Sequence, residues 1–508
     1  MTLLQMDFVT ARDEQTALDA TILRLLAILL TITIISYPVY ALYLHPLRAY
    51  PGPKLSAITR IPYWNACLKG DQVRWFTSLH KQYGPVVRFG PDDLSYTDGQ
   101  AWRDIFLVPK GKKENLKQAE FHMPPANGVP SIIRQNDVAH HARLRRVLLP
   151  AFSEKALKAQ EPLIQQYADL MIAKCREATQ LNLSVLLNFT VFDIMAEFAF
   201  GESLHMLERG QYSDWVEKVF NSMRILPLLQ IIEFYPILRK IFPFIEPKAI
   251  SSMRRDHFNH TASHVNKRLE EGSEKQDLWN LVAGSELLTL EEMYSNAELL
   301  MIAGTETTAS LLTGVIHYLV KNPDKMKILT DEIRPRFQSS QYITLEELAP
   351  LPYLNACIRE ALRIYPPVAT GLPRIVAAGG NSILGKWVPE GTRVSVHQYS
   401  TYHSPANFKD PDDFVPERWL DDPVYKDDIR SAHQPFSVGT RNCLGMNLAW
   451  HEMRLILAKL VHAFDIESDA GPDWVDQDNY VIWDRKPLIC RFKDAAPRDD
   501  ISDLAGEP

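Results

Sequence analysis

Cysteine is scarce in this chain and never clustered. The five, Cys67, Cys175, Cys357, Cys443 and Cys490, lie far apart, which excludes a disulfide framework and the CxxC spacing of zinc and dithiol sites. A reducing compartment fits, and burial as a small apolar residue is the ordinary fate of a free cysteine. An extended basic block is missing too. The 55 Lys and Arg are interspersed with 62 Asp and Glu, for a formal charge of -7, so nucleic acid is not an expected partner. There is no low-complexity tract, no internal repeat and no linker rich in Gly, Ser or Pro beyond residue 54, so one large domain is the simplest organisation. With 508 residues, 46% of them hydrophobic, that domain has ample material for a core.

Charge is absent altogether from residues 25–44, LLAILLTITIISYPVYALYL. These 20 residues are what a helix needs to cross the hydrocarbon of a bilayer. The run is too long for the apolar part of a cleaved signal peptide and lacks the polar face of a buried core helix, so a single membrane anchor after a short tail (1–24) is expected. Arg48, Lys54 and Arg60 follow the span while Asp13, Glu14 and Asp19 precede it, which places the bulk of the chain on the cytosolic side. The sequons at Asn182, Asn188 and Asn259 would then stay unmodified. Pro46, Pro51 and Pro53 make residues 45–54 a stiff, extended connector, ahead of a domain over 55–494 and a polar tail over 495–508.

Helical periodicity marks residues 138–176, 214–223, 251–271, 293–320, 325–337 and 354–364. Short β-like runs occupy 86–89, 393–397 and 488–492, and a polar, proline-punctuated loop region covers 402–435. The class expected is mainly α with a small sheet.

The segment FSVGTRNCLGMNLA, residues 436–449, fences in one cysteine. Gly439 and Gly445 free the backbone for tight turning or close approach, and helical periodicity begins just after Cys443. A thiolate there is stabilised by helix N–H groups and dipole, with Arg441 adding positive charge. It could be a nucleophile or a metal ligand. A nucleophile wants a base, and no histidine sits in a recognisable partner motif; a soft ligand for haem iron suits the glycines better, since a flat porphyrin needs bare backbone beside it. In isolation, a structural cysteine in a Gly-rich turn remains the default.

The full pattern, Phe436-x-x-Gly439-x-Arg441-x-Cys443-x-Gly445, resembles the haem-binding signature of the cytochrome P450 superfamily of haem-thiolate monooxygenases at every defining position. The resemblance implies that Cys443 is the axial ligand, that Phe436 packs beside it, that Gly445 leaves room for the ring and that Arg441 pairs with a haem propionate. Thr440 stands where the family often has proline, and Met446 where it often has a basic residue.

Other segments resemble the family in the same order along the chain. Glu360 and Arg363, three apart on a helix, and Arg418 in FVPERW match its Glu-Arg-Arg cluster, in which two guanidinium groups around one carboxylate lock a loop to a helix. His141 and Arg145, four apart in HHARLRRVLLPAFS, match the helix that reaches a propionate, and Arg374 in GLPRIV is a further partner by position. AGTETTAS, residues 303–310, matches the helix across the distal face; Thr307 would assist dioxygen there and Glu306 would join the proton supply, within a helix loosened at Gly304.

The resemblance thus implies a helical triangular prism with small β-sheets, preceded by one transmembrane helix and holding haem b (iron protoporphyrin IX). Its function would be insertion of one atom of O2 into an apolar small molecule of terpenoid or polyketide size, with NADPH-cytochrome P450 reductase as electron donor. The location would be the endoplasmic reticulum membrane with the catalytic domain in the cytosol, and the style is that of fungal secondary metabolism. Substrate contacts would come from residues 121–133, 223–242, 299–303, 368–372 and 481–483. Two alternatives stand beside this reading: a haem-thiolate isomerase or dehydratase that does not use O2, and a non-catalytic haem sensor.

Overall fold

The computed structural model describes residues 3–495, apart from 109–110, 112, 123–125, 214, 218–222, 272–277 and 279–286. The helix expected over 214–223 lies mostly outside the described residues, as does the tail from 496 onward.

The chain opens with α1 (Leu3–Val39), so the stretch expected as a tail is helical as well. A π-helical turn, Tyr40–Leu44, ends it. Thr21–Leu44 is long and apolar enough to cross a membrane, with a window of mean hydropathy 2.1 of which only 6% is buried. The connector is already part of the domain: Leu47 is buried, Arg88 Nη1 donates to the Ala41 carbonyl at 2.9 Å and His45 Nε2 lies 3.2 Å from Asp92 Oδ1. Gly52 passes so close to the sheet that a Cβ would lie 2.1 Å from the Arg88 carbonyl oxygen.

The periodic run over 138–176 is divided by Pro150 into α2 (Val138–Leu148), capped by Asp137, and α3 (Glu154–Glu177), capped by Ser153. α4 (Leu183–Phe200) starts under an Asn182 cap and ends at Gly201 in the left-handed region. Then come α5 (Leu226–Phe234), α6 (Pro236–Ile245) and α7 (Lys248–Glu271). The long α8 (Leu290–Lys321) begins with a capping box between Thr289 and Glu292. α9 (Pro352–Ile364) and α10 (Met446–Ala463) complete the helices that frame the site. Although α4 and α8 are also apolar enough to span a membrane, 89% and 72% of their windows are buried inside the protein, so they are core helices. α8 runs through the middle of the core, against α4 on one side and α10 and α9 on the other.

A five-stranded sheet stands beside this core in the order Val86–Gly90, Asp93–Tyr96, Arg393–Val396, Arg374–Ile375, Leu116–Lys117. Its register sets Lys117 directly opposite Arg374. A three-stranded sheet joins Gln180–Asn182, Ile489–Asp494 and Phe464–Ser468. Cys67, Cys175, Cys357 and Cys490 are buried apolar residues; Cys443 is the exception.

Candidate active site

Cys443 closes a tight loop, its N–H donating to the Phe436 carbonyl at 2.8 Å. Gly439 sits at φ 83° with the Phe106 carbonyl oxygen only 2.4 Å from where a Cβ would be, so packing of the protein itself demands that glycine. Gly445, the residue before α10, differs: apart from its chain neighbours, the nearest described atom to its missing Cβ is Phe152 Cε1 at 3.8 Å, and it lines an internal cavity. The Cys443 thiol is open to that cavity and yet deep within the protein. Burial raises its pKa, while the Gly445 N–H and Arg145 pull the other way.

α8 forms the opposite wall, with Leu299, Ala303, Gly304, Thr307 and Thr308 on the cavity. The expected loosening at Gly304 takes a different form, because the helix stays α-helical from Leu290 to Lys321. A Cβ at Gly304 would meet Met195 Cε of α4 at 2.6 Å, so a close helix crossing accounts for the glycine without a break. Thr307 spends its hydroxyl proton on the Ala303 carbonyl at 2.8 Å.

Cations line the edge of the cavity. Arg145 Nη1 and Nη2 donate to the carbonyl (2.9 Å) and the Oδ1 (2.5 Å) of Asn442, beside Cys443. Arg441 Nε donates to Glu114 Oε1 at 2.8 Å and its Nη1 to the Gln135 carbonyl at 2.5 Å. Arg374 is buried, stacks over the Phe106 ring at 5.0 Å and is pushed down to about 10 by burial and by Arg441. Lys117, its partner across the sheet, is pushed down to about 7 by burial and then by Arg374. His141 is pushed down to about 4 by burial, with Arg441 and Lys117 adding to it. Glu114 is the one carboxylate in this group. Like charges directly opposite one another on a sheet are destabilising, and such a cluster fits a ligand that brings its own negative charge.

A family model described as Cytochrome P450 matches residues 53–491. The chain belongs to the cytochrome P450 family. Cytochrome P450 monooxygenase efuB of Hormonema carpetanum is 42% identical over 473 residues, which is 90% of this chain and 94% of that one. Cytochrome P450 monooxygenase FUM2 of Gibberella moniliformis is 41% identical over 90% of this chain and 99% of its own. Averantin hydroxylase of Dothistroma septosporum is 41% identical, covering 89% and 88%. The protein is a haem-dependent monooxygenase of the P450 fold.

The residues present suit a haem. The open thiol of Cys443, the bare backbone of Gly445 and the cation cluster around Lys117 and Arg374 would meet its iron, its ring and its carboxylates, respectively. Cys443, Phe436, Arg441, Gly445, Arg145, His141, Arg374 and Thr307 all stand on the one cavity.

Glu306 does not. One residue before Thr307 on α8, it turns about 100° around the helix and points away from the cavity into the protein interior, where Arg485 Nη2 donates to its Oε1 at 2.7 Å. Burial raises its pKa against the pull of Arg485. Of the stretches expected to touch substrate, His122, Ile132, Ile133, Leu299, Leu300, Ala303, Val368 and Leu372 reach the cavity. Among the described residues, none of 223–242 or 481–483 does. Trp483 instead donates its indole N–H to the Pro366 carbonyl at 2.8 Å.

Glu360, Arg363 and Arg418 meet away from the cavity, all fully buried or nearly so. Glu360 Oε1 accepts from Arg363 Nη2 (2.7 Å), Arg418 Nε (3.1 Å) and the Val415 N–H (2.9 Å), and its Oε2 accepts from the Trp419 indole (2.9 Å). Burial would raise this carboxyl, but Arg363 and then Arg418 hold it below its usual value. Sequence reasoning missed Lys117 and Glu452. Lys117 gains meaning only from the sheet register, which no local pattern encodes. Glu452 stands among His451, Arg454 and Lys459 on the same helix, so its charge alone did not single it out.

Proposed function

We propose that this protein is a membrane-anchored monooxygenase that inserts one oxygen atom from O2 into an apolar small molecule, of terpenoid or polyketide size, in secondary metabolism. It would take electrons from NADPH-cytochrome P450 reductase at the endoplasmic reticulum. The observation that carries this reading is the cavity itself, with an open thiol on one wall, the Thr307 helix on the other and apolar side chains between them. The relatives fit, since their names speak of monooxygenases and, in one, of a hydroxylase acting on averantin.

Cys443 would ligate the iron of haem b, Phe436 would flank it, and Arg145, Arg374, Lys117, His141 and Arg441 would hold the carboxylate edge. When bound, the haem supplies dioxygen activation. The chain's own part is to exclude water with Leu299, Ala303 and Val368, to orient the substrate against α8 and to offer the Thr307 hydroxyl beside it. Glu306 enters as a support of α8, through Arg485. Glu360, Arg363 and Arg418 would brace the loop that carries Cys443.

Reduced protein under carbon monoxide should show the strongly red-shifted Soret band of thiolate ligation, and Cys443→Ala should lose it. Expression in a host supplying the reductase and candidate metabolites should yield an NADPH-dependent product carrying one added oxygen. Conversion without NADPH would favour the isomerase reading instead.

A further inference from the structure

Among the described residues, the buried carboxyl that faces the cavity is not Glu306 but Glu452. Glu452, in the middle of α10, is 1% exposed and lines the cavity together with Thr308, Thr307 and Cys443. Its Oε1 has no hydrogen-bond partner among the described residues; the carboxyl's partner is the Thr308 hydroxyl. No cation faces it. On its own helix, His451 pairs with Glu154 of α3, Arg454 Nε donates to Asn355 Oδ1 of α9, and Lys459 pairs with Asp169 of α3. On the other elements packed against α10, Arg485 serves Glu306 of α8, Arg363 serves Glu360 of α9, Arg336 serves Glu347 of the short helix Leu345–Leu348, and Arg334 serves Asp465 and the Phe464 carbonyl. Burial pushes Glu452 up to about 8 against the opposing pull of the Thr308 hydroxyl, so the side chain is the neutral acid at neutral pH.

Thr308 is unlike its neighbours. Thr305, Thr307 and Thr313 each donate to the carbonyl four residues back on α8, at 2.6, 2.8 and 2.7 Å. Thr308 makes no such bond among the described residues and meets Glu452 instead. A hydroxyl has one proton to give. Against a carboxylate Thr308 would have to give it away; against a carboxylic acid it can accept the acid's proton and keep its own.

We propose that Glu452 is a positioning residue: the neutral carboxyl donates to Thr308 Oγ1 and so turns the Thr308 O–H into the cavity as a hydrogen-bond donor, next to a Thr307 whose own proton is spent on the helix. This rests on the haem reading of the cavity, and it gives α8 the donor that Glu306, facing Arg485, does not supply. It also explains why a carboxyl is tolerated in a largely apolar cavity wall with no cation to balance it among the described residues.

Carbon monoxide bound to the reduced holoenzyme is the probe, because a donor aimed at its oxygen lowers the C–O stretch, and no substrate is needed. In the wild type the low-frequency band should dominate at neutral pH and give way to a higher one as the pH passes about 8. Glu452→Gln, whose amide can donate to Thr308 but cannot ionise, should keep the low band at every pH. Glu452→Leu and Thr308→Val should show only the high band. A protonated-carboxyl infrared band should be present in the wild type and absent in Glu452→Gln. A wild-type C–O band that ignores pH, a Thr308→Val variant that keeps the low band, or a wild type without a protonated-carboxyl band would overturn the proposal. Absence of the thiolate Soret band would sink the haem reading itself, and the carboxyl band would still report on Glu452.

Discussion

Two basic side chains opposite one another on a sheet, neither ion-paired to a carboxylate among the described residues, repel each other unless a ligand brings the negative charge. Lys117 and Arg374 are that pair. Replacing Lys117 by Met removes one cation and keeps its apolar stem, so the haem-free protein should gain thermal stability. Haem transfer to a scavenging apoprotein should speed up by roughly tenfold or more, the weight of one charge-assisted hydrogen bond. Unchanged transfer would mean that Lys117 does not reach the carboxylate edge. Glu452 makes a second prediction at this scale, with a definite sign. Its folded pKa, about 8, lies above that of the unfolded chain, so between the two the folded state binds more protons and stability falls as pH rises. Glu452→Gln removes this dependence. Its unfolding temperature should therefore climb relative to wild type from about pH 5 and level off above about pH 8, as differential scanning calorimetry would show.

At the scale of elements, the Glu360 cluster joins α9 to the loop that leads to Cys443. Arg363 Nη1 donates to the Tyr402 and Pro411 carbonyls (2.9 and 2.6 Å) and Arg418 pairs with Asp428, so one carboxylate organises a long stretch of irregular chain. Glu360→Ala would leave the buried Arg363 guanidinium without a carboxylate and Arg418 with Asp428 alone, at a cost of about 3–5 kcal/mol, much of a domain's net stability. The variant should accumulate haem-free or degraded. Full haem content with merely slow turnover would refute a bracing role. Much of this level is legible in the sequence, because α8, α9 and α10 carry their polar residues at readable spacings even where, as in α8 and α10, burial extends around the helix. α4 does not. It is buried all round, so no apolar stripe alternates with a polar one and periodicity carries no signal. Glu306 fails to read for a related reason: neighbouring positions on a helix point about 100° apart, and sequence adjacency to Thr307 says nothing of which of the two meets the cavity.

The whole molecule is an apolar rod attached to a domain that begins to pack at Ala41, and this decides how the anchor should be tested. Removal of residues 1–44 would take away the Ala41 carbonyl that Arg88 holds, so removal of 1–39 is the cleaner variant. It should release much of the protein from microsomes. Some should remain, because α6 exposes Ile237, Phe244 and Ile245 at 71%, 88% and 68%, a second apolar surface able to lie on a bilayer. Orientation needs a separate measurement, and the three sequons are not equal witnesses. Asn182 caps α4, and Asn188 is buried with its amide on Tyr212 Oη at 2.9 Å and its Oδ1 accepting from Arg485 at 2.6 Å. Only Asn259, exposed on α7, could carry a glycan without unfolding its surroundings. A domain in the cytosol should leave Asn259 bare and be digested by protease added outside sealed microsomes. Glycan at Asn259, or a domain protected until detergent is added, would reverse the orientation and remove the domain from the side on which a cytosolic reductase could reach it.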